Sequence, residues 1–251
     1  MTYEGFASTI TRTSQTACTS SCQHCPSRSS CLAKDLNSQE VDRWSGLVGS
    51  VLNYPAGKSL FEVGDSATVV YSVRAGCIKT FTLDAEGNER VQGFHMAGDI
   101  IGLECLTENR YPISAISVSP TQICVLSRSE MRSLAALTPA LMNRLVERLS
   151  QSLRGALCLS GDYSADQRVA AFLLQMQVRL SPLPGKPIHL PMGRRDIASY
   201  LRLATETVCR VLTRFEKQGL LKVSDRKIEI LDHPALKNLS GSLLNDGEVK
   251  Q

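Results

Sequence analysis

The chain has 251 residues, 43% of them hydrophobic and 21% charged, with a formal net charge of +4. That length suits one large or two modest domains with ordinary cores. No apolar run approaches a membrane span, and the Ser- and Thr-rich residues 1–17 lack the apolar centre of a signal sequence, so the expected compartment is the cytoplasm.

The charge is unevenly placed. Residues 166–237 hold 13 Lys and Arg against 7 Asp and Glu, a balance of +6, whereas the rest of the chain carries 15 against 17. A basic excess confined to the C-terminal third points to nucleic acid as its partner. Nine cysteines in a reducing compartment point to metal or redox chemistry rather than a disulfide frame.

Four of those cysteines lie close together, in CTSSCQHCPSRSSC from Cys18 to Cys31. The tight part is Cys22-x2-Cys25-x5-Cys31. Two intervening residues let one turn aim both sulfurs at a single centre, and Pro26 bends the chain so that a third can follow. Three local thiolates and one remote thiolate are a common way to hold an iron–sulfur cluster. Zinc is the rival, although its sites usually pair C-x2-C with a second close pair, and none follows here. His24 sits inside the first pair, where it would point away from the metal. A disulfide-bearing or merely cysteine-rich segment is the third alternative.

A helix is expected from Ser38, as N-cap, through Val48, with Trp44 and Leu47 facing the core. Trp44 reads as a packing residue rather than a cofactor contact. From about Val51 to Leu126 the pattern changes to short strands: Val69, Tyr71 and Val73 alternate with Val70 and Ser72, and Ile78 to Leu83 alternates again. Glycines at Gly57, Gly64, Gly76, Gly87 and Gly98 punctuate at the spacing of an all-β sandwich or barrel. Glu86-Gly87-Asn88 reads as a hairpin turn.

A short helix is expected over Ser129–Ala136. A longer one follows, with Thr138 as its cap and Pro139 pre-set at its first position, running to Ser160 before Gly161. Met142, Leu145, Leu149, Leu153 and Ala156 fall at coiled-coil steps along it. A helix facing only its own domain could show the same stripe, but a long helix joining two unlike regions favours a homodimer seam. Another helix spans Asp166–Leu180, with Val169, Phe172, Leu173 and Met176 inward. The proline-rich SPLPGKP loop follows.

The next module reads as helix, tight turn, helix and a small β-hairpin wing around Ser224-Asp225. Along Thr205–Lys217, with Glu206 set at zero, Cys209, Arg210, Thr213 and Lys217 lie within roughly 60° of it at 100° per residue. Val208, Val211, Leu212 and Phe215 take the opposite face. Gly219 would cap the C-terminus. The polar face suits base reading: Arg210 can bond guanine bidentately and Glu206 can accept from cytosine. Thr213, Lys217, Arg194 and Arg195 suit phosphates. A solvated face with an incidental Glu206–Arg210 pair is the plainer alternative, but the preceding helix, turn and basic surroundings favour a reader of double-stranded DNA.

The order of parts, with CTSSCQHCPSRSSC, GFHMAGDIIGL and RRDIASYLRLATETVCRVLTRF as its most specific pieces, resembles the FNR branch of the CRP/FNR transcription regulators over about residues 16–238. The resemblance implies an α+β fold. Its parts are a cysteine arm (1–36), a cyclic-nucleotide-binding-like β-roll sensor domain (37–136), a dimerisation helix (137–161), a winged helix-turn-helix (162–238) and a polar tail (239–251). It implies that Cys22, Cys25, Cys31 and the remote Cys124 ligate an oxygen-labile [4Fe–4S] cluster, with Cys18 not a ligand; apart from the resemblance, Cys105 is the reserve candidate for the fourth. It implies Glu206 and Arg210 as the base-reading pair, inverted-repeat TTGAT-type sites, a DNA-binding homodimer, contact with RNA polymerase and control of anaerobic metabolism.

Cys209 stands where the family has a serine. The long helix and its exit are a few residues shorter than the family pattern. Ile113-Ser114 stand where cyclic-nucleotide-binding relatives have Arg-Ser, so cyclic AMP is not an expected effector. Cys77, Cys105, Cys158 and Cys209 read as small packing residues. A thiol- or zinc-based redox switch on the same scaffold remains a rival, and an iron–sulfur electron carrier or enzyme is a rival of another class. The four scattered histidines offer no paired acid–base constellation.

Overall fold

The computed structural model describes residues 22–180 and 186–243, with the side chains of residues 157–160 and 242 outside the description. Cys18, the Cys158 side chain, most of the proline-rich loop and residues 244–251 therefore lie outside the described residues.

A 3-10 turn, Cys22–His24, opens the described chain, and a run of turns leads to helix α1 (Ser38–Leu47). The N-cap of α1 is Asn37, not Ser38. The Asn37 side chain accepts from the Glu40 amide at 3.0 Å, and the Glu40 carboxylate accepts from the Asn37 amide at 2.9 Å. Either residue can cap a helix, but only Asn37 has a glutamate three residues on to close the reciprocal box. Leu32, Ala33 and Leu36 are buried with Val41, Trp44, Leu126, Met131, Leu141 and Leu145, so this arm is part of a core.

The sensor region contains β1 (Val48–Tyr54), β2 (Ser59–Phe61), β3 (Val69–Ala75), β4 (Cys77–Leu83), β5 (Glu89–Met96), β6 (Ile100–Ile101), β7 (Ser114–Ser117) and β8 (Thr121–Ser127). They form two antiparallel four-stranded sheets, ordered β1-β8-β3-β6 and β2-β7-β4-β5. A core that includes Phe61, Tyr71, Val73, Ile78, Ile101, Tyr111 and Ile123 joins the two. Phe61 stacks on Tyr111 with ring centroids 3.8 Å apart. The loop between β4 and β5 closes on Asp84, whose carboxylate accepts from the Glu86 and Asn88 amides, with Gly87 at φ +79°.

Helix α2 (Arg128–Leu137) is capped by Ser127, whose hydroxyl accepts from the Glu130 amide. Helix α3 (Pro139–Ser160) starts where the proline predicts. Thr138 holds the N-cap position, but its side chain makes no capping bond: its hydroxyl oxygen is buried without a partner.

The expected seam on α3 is also corrected. Leu145 is 5% exposed and packs inward with Leu141 and Trp44, whereas Met142, Val146, Leu149 and Leu153 are 42%, 54%, 42% and 62% exposed. The stripe facing solvent therefore steps by 4, 3 and 4 residues through Val146, and Leu145 belongs to the adjoining inward row. Ala156 is exposed beyond it.

Helix α4 (Ala165–Leu180) buries Val169, Phe172, Leu173 and Met176. It is followed by β9 (Ile188–His189), α5 (Arg194–Leu201), α6 (Thr205–Lys217), β10 (Leu221–Ser224), β11 (Lys227–Ile230) and α7 (His233–Ser240). The wing is a three-stranded sheet, because β9 pairs with β11 beside the expected hairpin. The polar tail begins later than expected. Helix α7 is capped by Asp232, which accepts from the Ala235 amide at 2.9 Å, and Ser240 and Leu243 are buried.

The helical unit packs on the β4–β5 face. Val91, Phe94 and Met96 share a core with Phe172, Leu173 and Ile197. Lys79, 7% exposed, bridges Glu89 at 2.6 Å and Asp196 at 2.8 Å. Pairing on both sides compensates the burial of its charge and raises its pKa, against desolvation, the largest single influence on it, which alone would lower it.

Candidate functional site

Two places gather chemistry that the cores do not explain. The first is a pocket between the cysteine arm and the β1-β8-β3 sheet. Cys22, Cys25 and Cys31 of the arm line it together with Cys124 of β8. The arm is pinned on both sides. The Cys22 amide donates to the Ser45 hydroxyl at 3.3 Å and the Gln23 amide group to Asp42 at 2.7 Å. Ser27 donates to the Arg74 carbonyl on β3 at 2.5 Å. Backbone bonds from the Cys31 amide to the Ser27 and Arg28 carbonyls, at 3.0 and 3.2 Å, wind the five-residue spacer into a turn that brings the third thiol back. Its sulfur lies 3.8 Å from the Ser72 hydroxyl.

Strand alternation places Cys124 there. It pairs with Val51 of β1 on one side and Ser72 of β3 on the other, so it lies on the central strand β8, next to the β3 residues that also line the pocket. Trp44, Val48, Val73 and Leu126 make the pocket wall apolar, and Arg28 and Arg74 add two cationic side chains. Trp44 is thus both the packing residue expected and part of this wall. Burial pushes the Cys124 thiol up to about 12, with Cys22 and Cys31 adding to the rise and Arg74 opposing it. All four thiols are free of disulfides. Among the described residues no group of three or more His, Cys, Asp or Glu side chains is arranged to hold a metal ion, so the four thiols line the pocket without closing on one point. His24 is exposed and outside the lining.

Cys105 is elsewhere: fully buried between the two sheets among Phe61, Tyr71 and Tyr111, where burial pushes its thiol up to about 11. Cys77 is buried against the helical unit, and burial pushes its thiol up to about 12. Cys209 is not a packing residue but exposed.

The second place is the outer face of α6. Val208, Val211, Leu212 and Phe215 are buried, and Glu206, Cys209, Arg210, Thr213 and Lys217 are exposed on the opposite side. Helix α5 ends at Arg202 in the left-handed region, φ 56°, and the Leu203 amide returns to the Ala198 carbonyl at 2.9 Å, which makes the tight turn into α6. The C-terminus closes as a Schellman motif. Leu220 donates to the Phe215 carbonyl and Gly219 to the Glu216 carbonyl, both at 3.0 Å, with Gly219 at φ +72°.

Arg210 donates to the Thr207 hydroxyl at 3.3 Å. Arg195 is exposed, whereas Arg194 is half-buried and donates to the Asp225 carbonyl at 2.8 Å, tying α5 to the wing turn. Burial lowers the Arg194 pKa from its ordinary value, with Cys209 and Asp225 opposing the fall. Sequence reasoning missed Arg214, which lines the same shallow groove as Cys209, Arg210, Thr213 and Lys217 while pairing with Asp166. It also missed Lys222, Arg226 and Lys227, exposed on the wing. Their clustering around the wing turn was the available signal.

The comparisons agree with this division. The model of the cyclic nucleotide-binding domain matches residues 51–137 and that of the Crp-like helix-turn-helix domain residues 167–239. The chain is 32% identical over 229 residues to the transcriptional activator protein FnrA of Stutzerimonas stutzeri, covering 89% of this chain and 94% of that one. The chain belongs to the CRP/FNR family of transcription regulators. The fumarate and nitrate reduction regulatory protein of Escherichia coli K12 is 30% identical over 241 residues, covering 94% and 96% of the two chains. The solved structure of FixK2 from Bradyrhizobium japonicum matches with a TM-score of 0.69 at 30% identity, over 76% of this chain and 97% of that one. Like other CRP/FNR proteins, this chain is a DNA-binding regulator and not an enzyme. Among the described residues no helix is long and apolar enough to cross a membrane.

Proposed function

We propose that this protein is an oxygen-responsive transcription regulator whose DNA binding depends on a [4Fe–4S] cluster held by Cys22, Cys25, Cys31 and Cys124. The observation that carries the reading is the pocket in which a cysteine of β8 joins three from the arm. Four thiols are the donor set such a cluster takes. The apolar wall limits water, and Arg28 and Arg74 offset the negative charge that four thiolates bring. Burial keeps the Cys124 thiol protonated until a bound metal displaces the proton. The names of the FNR relatives support the same reading.

When bound, the cluster supplies a group that oxygen can oxidise. The chain's own residues carry the consequence. With all four thiols engaged, the arm is held against β8 and β3, and through Leu32, Ala33 and Leu36 against Leu141 and Leu145 of α3. That fixes the helix whose outer stripe, Met142, Val146, Leu149 and Leu153, is the surface for a second copy of the chain. Two copies related by a two-fold axis present two α6 helices to adjacent major grooves, about 34 Å apart. Arg210 and Glu206 read bases in inverted-repeat, TTGAT-type half-sites, Cys209 contacts a base edge, and Thr213, Lys217, Arg195 and Arg214 hold phosphates. The bound dimer then recruits RNA polymerase at genes of anaerobic metabolism. Cyclic AMP is not the effector. Ile113 and Ser114 offer its phosphate no cation, and Phe61, Tyr71 and Tyr111 fill the interior between the sheets.

The test is iron and acid-labile sulfide analysis of anaerobically purified protein. The reading predicts about four of each per chain. Zinc without sulfide would make the site a zinc switch, and neither would leave a thiol switch.

A further inference from the structure

Four segments far apart in the chain meet at one aspartate. Asp99 lies in the turn between β5 and β6. Its carboxylate accepts from the Met96 amide at 2.9 Å and pairs with Arg179 in the last turn of α4. Its other oxygen is 3.8 Å from the Arg148 guanidinium on α3. Arg148 in turn donates to the carbonyl of Ser30, the residue before Cys31. Arg179 also donates to the Phe94 carbonyl at 3.1 Å.

The turn is pressed against the arm. Gly98 has φ +93°, and a Cβ there would fall 2.5 Å from the Ser30 Cβ and carbonyl oxygen. The three charged side chains are mostly shielded, with Asp99 20%, Arg148 23% and Arg179 33% exposed. An ordinary surface ion pair would join two side chains. Here one guanidinium spans from the backbone of the cysteine arm to a carboxylate that also holds the DNA-binding unit.

We infer that Arg148 and Asp99 form a relay through which the state of the cysteine pocket sets both the dimer helix α3 and the seating of the DNA-binding unit through Arg179. This rests on the reading of the pocket as a cluster site. A ligand on Cys31 fixes the peptide joining it to Ser30 and so aims the Ser30 carbonyl at Arg148. While that acceptor is in place, Arg148 is held to the arm and Asp99 stays with Arg179. When the arm moves, Arg148 loses the Ser30 carbonyl, keeps only the long 3.5 Å bond to Gln151 on its own helix beside Asp99, and competes with Arg179 for Asp99. Both α3 and α4 then respond to one displaced carbonyl. Arg148, Asp99 and Arg179 are positioning residues, since none of them lines the pocket.

The experiment compares full-length protein with and without its cluster, measuring iron and sulfide content, the dimer dissociation constant by sedimentation, and DNA affinity. In the wild type, the cluster should tighten the dimer about tenfold or more. Arg148→Met should keep full iron and sulfide while that ratio falls to about twofold or less. Arg179→Met should keep the ratio but weaken DNA binding by the dimer about tenfold. A wild-type ratio in Arg148→Met overturns the relay. So does loss of iron in Arg148→Met, because the arginine would then hold the arm rather than read it. If Arg148→Met does not fold, Asp99→Asn, which keeps the acceptor for Met96, carries the same test: its ratio should fall, and an unchanged ratio overturns the relay. A wild-type protein that binds a cluster without any change in dimerisation brings down the relay and the proposed function together, whereas failure in the variants alone leaves the proposed function standing.

Discussion

Leu145 and Leu149 lie one turn apart on α3, yet the structure gives them opposite jobs, and alanine at each should separate them. Leu149 is 42% exposed in the single chain. Burying a whole leucine side chain is worth about 1.5–3 kcal/mol, so the exposed part covered by a partner contributes about 1 kcal/mol. A two-fold interface counts the residue twice, which makes Leu149→Ala cost the dimer about 2 kcal/mol, roughly 30-fold in its dissociation constant. The fold of each chain should be nearly untouched. Leu145 is 5% exposed beneath α1 and the arm, so Leu145→Ala should destabilise the sensor by about 2–5 kcal/mol. The assays are sedimentation equilibrium of anaerobic protein and urea unfolding of cluster-free protein at a concentration where it is monomeric, so that dimer linkage does not enter the stability. If Leu145→Ala loosens the dimer at unchanged stability while Leu149→Ala weakens the fold, the assignment of the two faces is wrong.

Cys22→Ser, Cys25→Ser, Cys31→Ser and Cys124→Ser should each lower iron and sulfide content and anaerobic DNA binding, whereas Cys18→Ser and Cys105→Ser should leave iron content unchanged. Full iron in Cys124→Ser with loss in Cys105→Ser would move the fourth ligand into the core between the sheets. Arg210→Ala should cost about 1–3 kcal/mol of DNA affinity and relax one base preference, while Lys217→Ala should weaken all sequences alike and flatten the salt dependence. Cys209→Ser should shift preference at one outer base in site selection, and identical selected sites would remove Cys209 from the base edge. Desolvation pushes His95 down to about 4 from 6.5, Arg179 adding and Asp99 opposing. The unfolded chain thus takes up this proton before the folded one. Stability against urea should fall as pH drops from 6.5 toward 4, and His95→Gln should flatten that stretch of the profile.

What could be read from the sequence was local. The two faces of α6 follow from helical period alone, because one is wholly apolar and the other, Cys209 apart, is polar. The start of α3 follows from Thr138-Pro139, although Thr138 itself bonds nothing there. The seam was only half legible. Leucines 145 and 149 are both compatible with a coiled-coil step, and the choice between them depends on α1 and the arm folding over one side. Spacing could not choose between Cys105 and Cys124, since the choice depends on which strand lies beneath the arm. The Arg194–Asp225, Arg148–Ser30 and Lys79–Asp196 contacts join residues 31, 118 and 117 positions apart, and no periodicity encodes such pairs. The helix from His233 was legible in Asp232 as cap and Pro234 in the first turn, although its eight residues merge into a polar stretch with the composition of a tail.

In the proposed function an iron–sulfur cluster in the cysteine pocket governs DNA binding through α3. One measurement addresses it directly: a single anaerobic preparation is titrated onto an inverted-repeat TTGAT duplex, then exposed to air and titrated again, with the cluster absorbance and sedimentation followed on the same samples. A dimer should bind tightly while the absorbance lasts, and binding should be lost in step with loss of the absorbance and appearance of monomer. Equal affinity before and after the absorbance disappears, or tight binding by protein that never held iron, would contradict it.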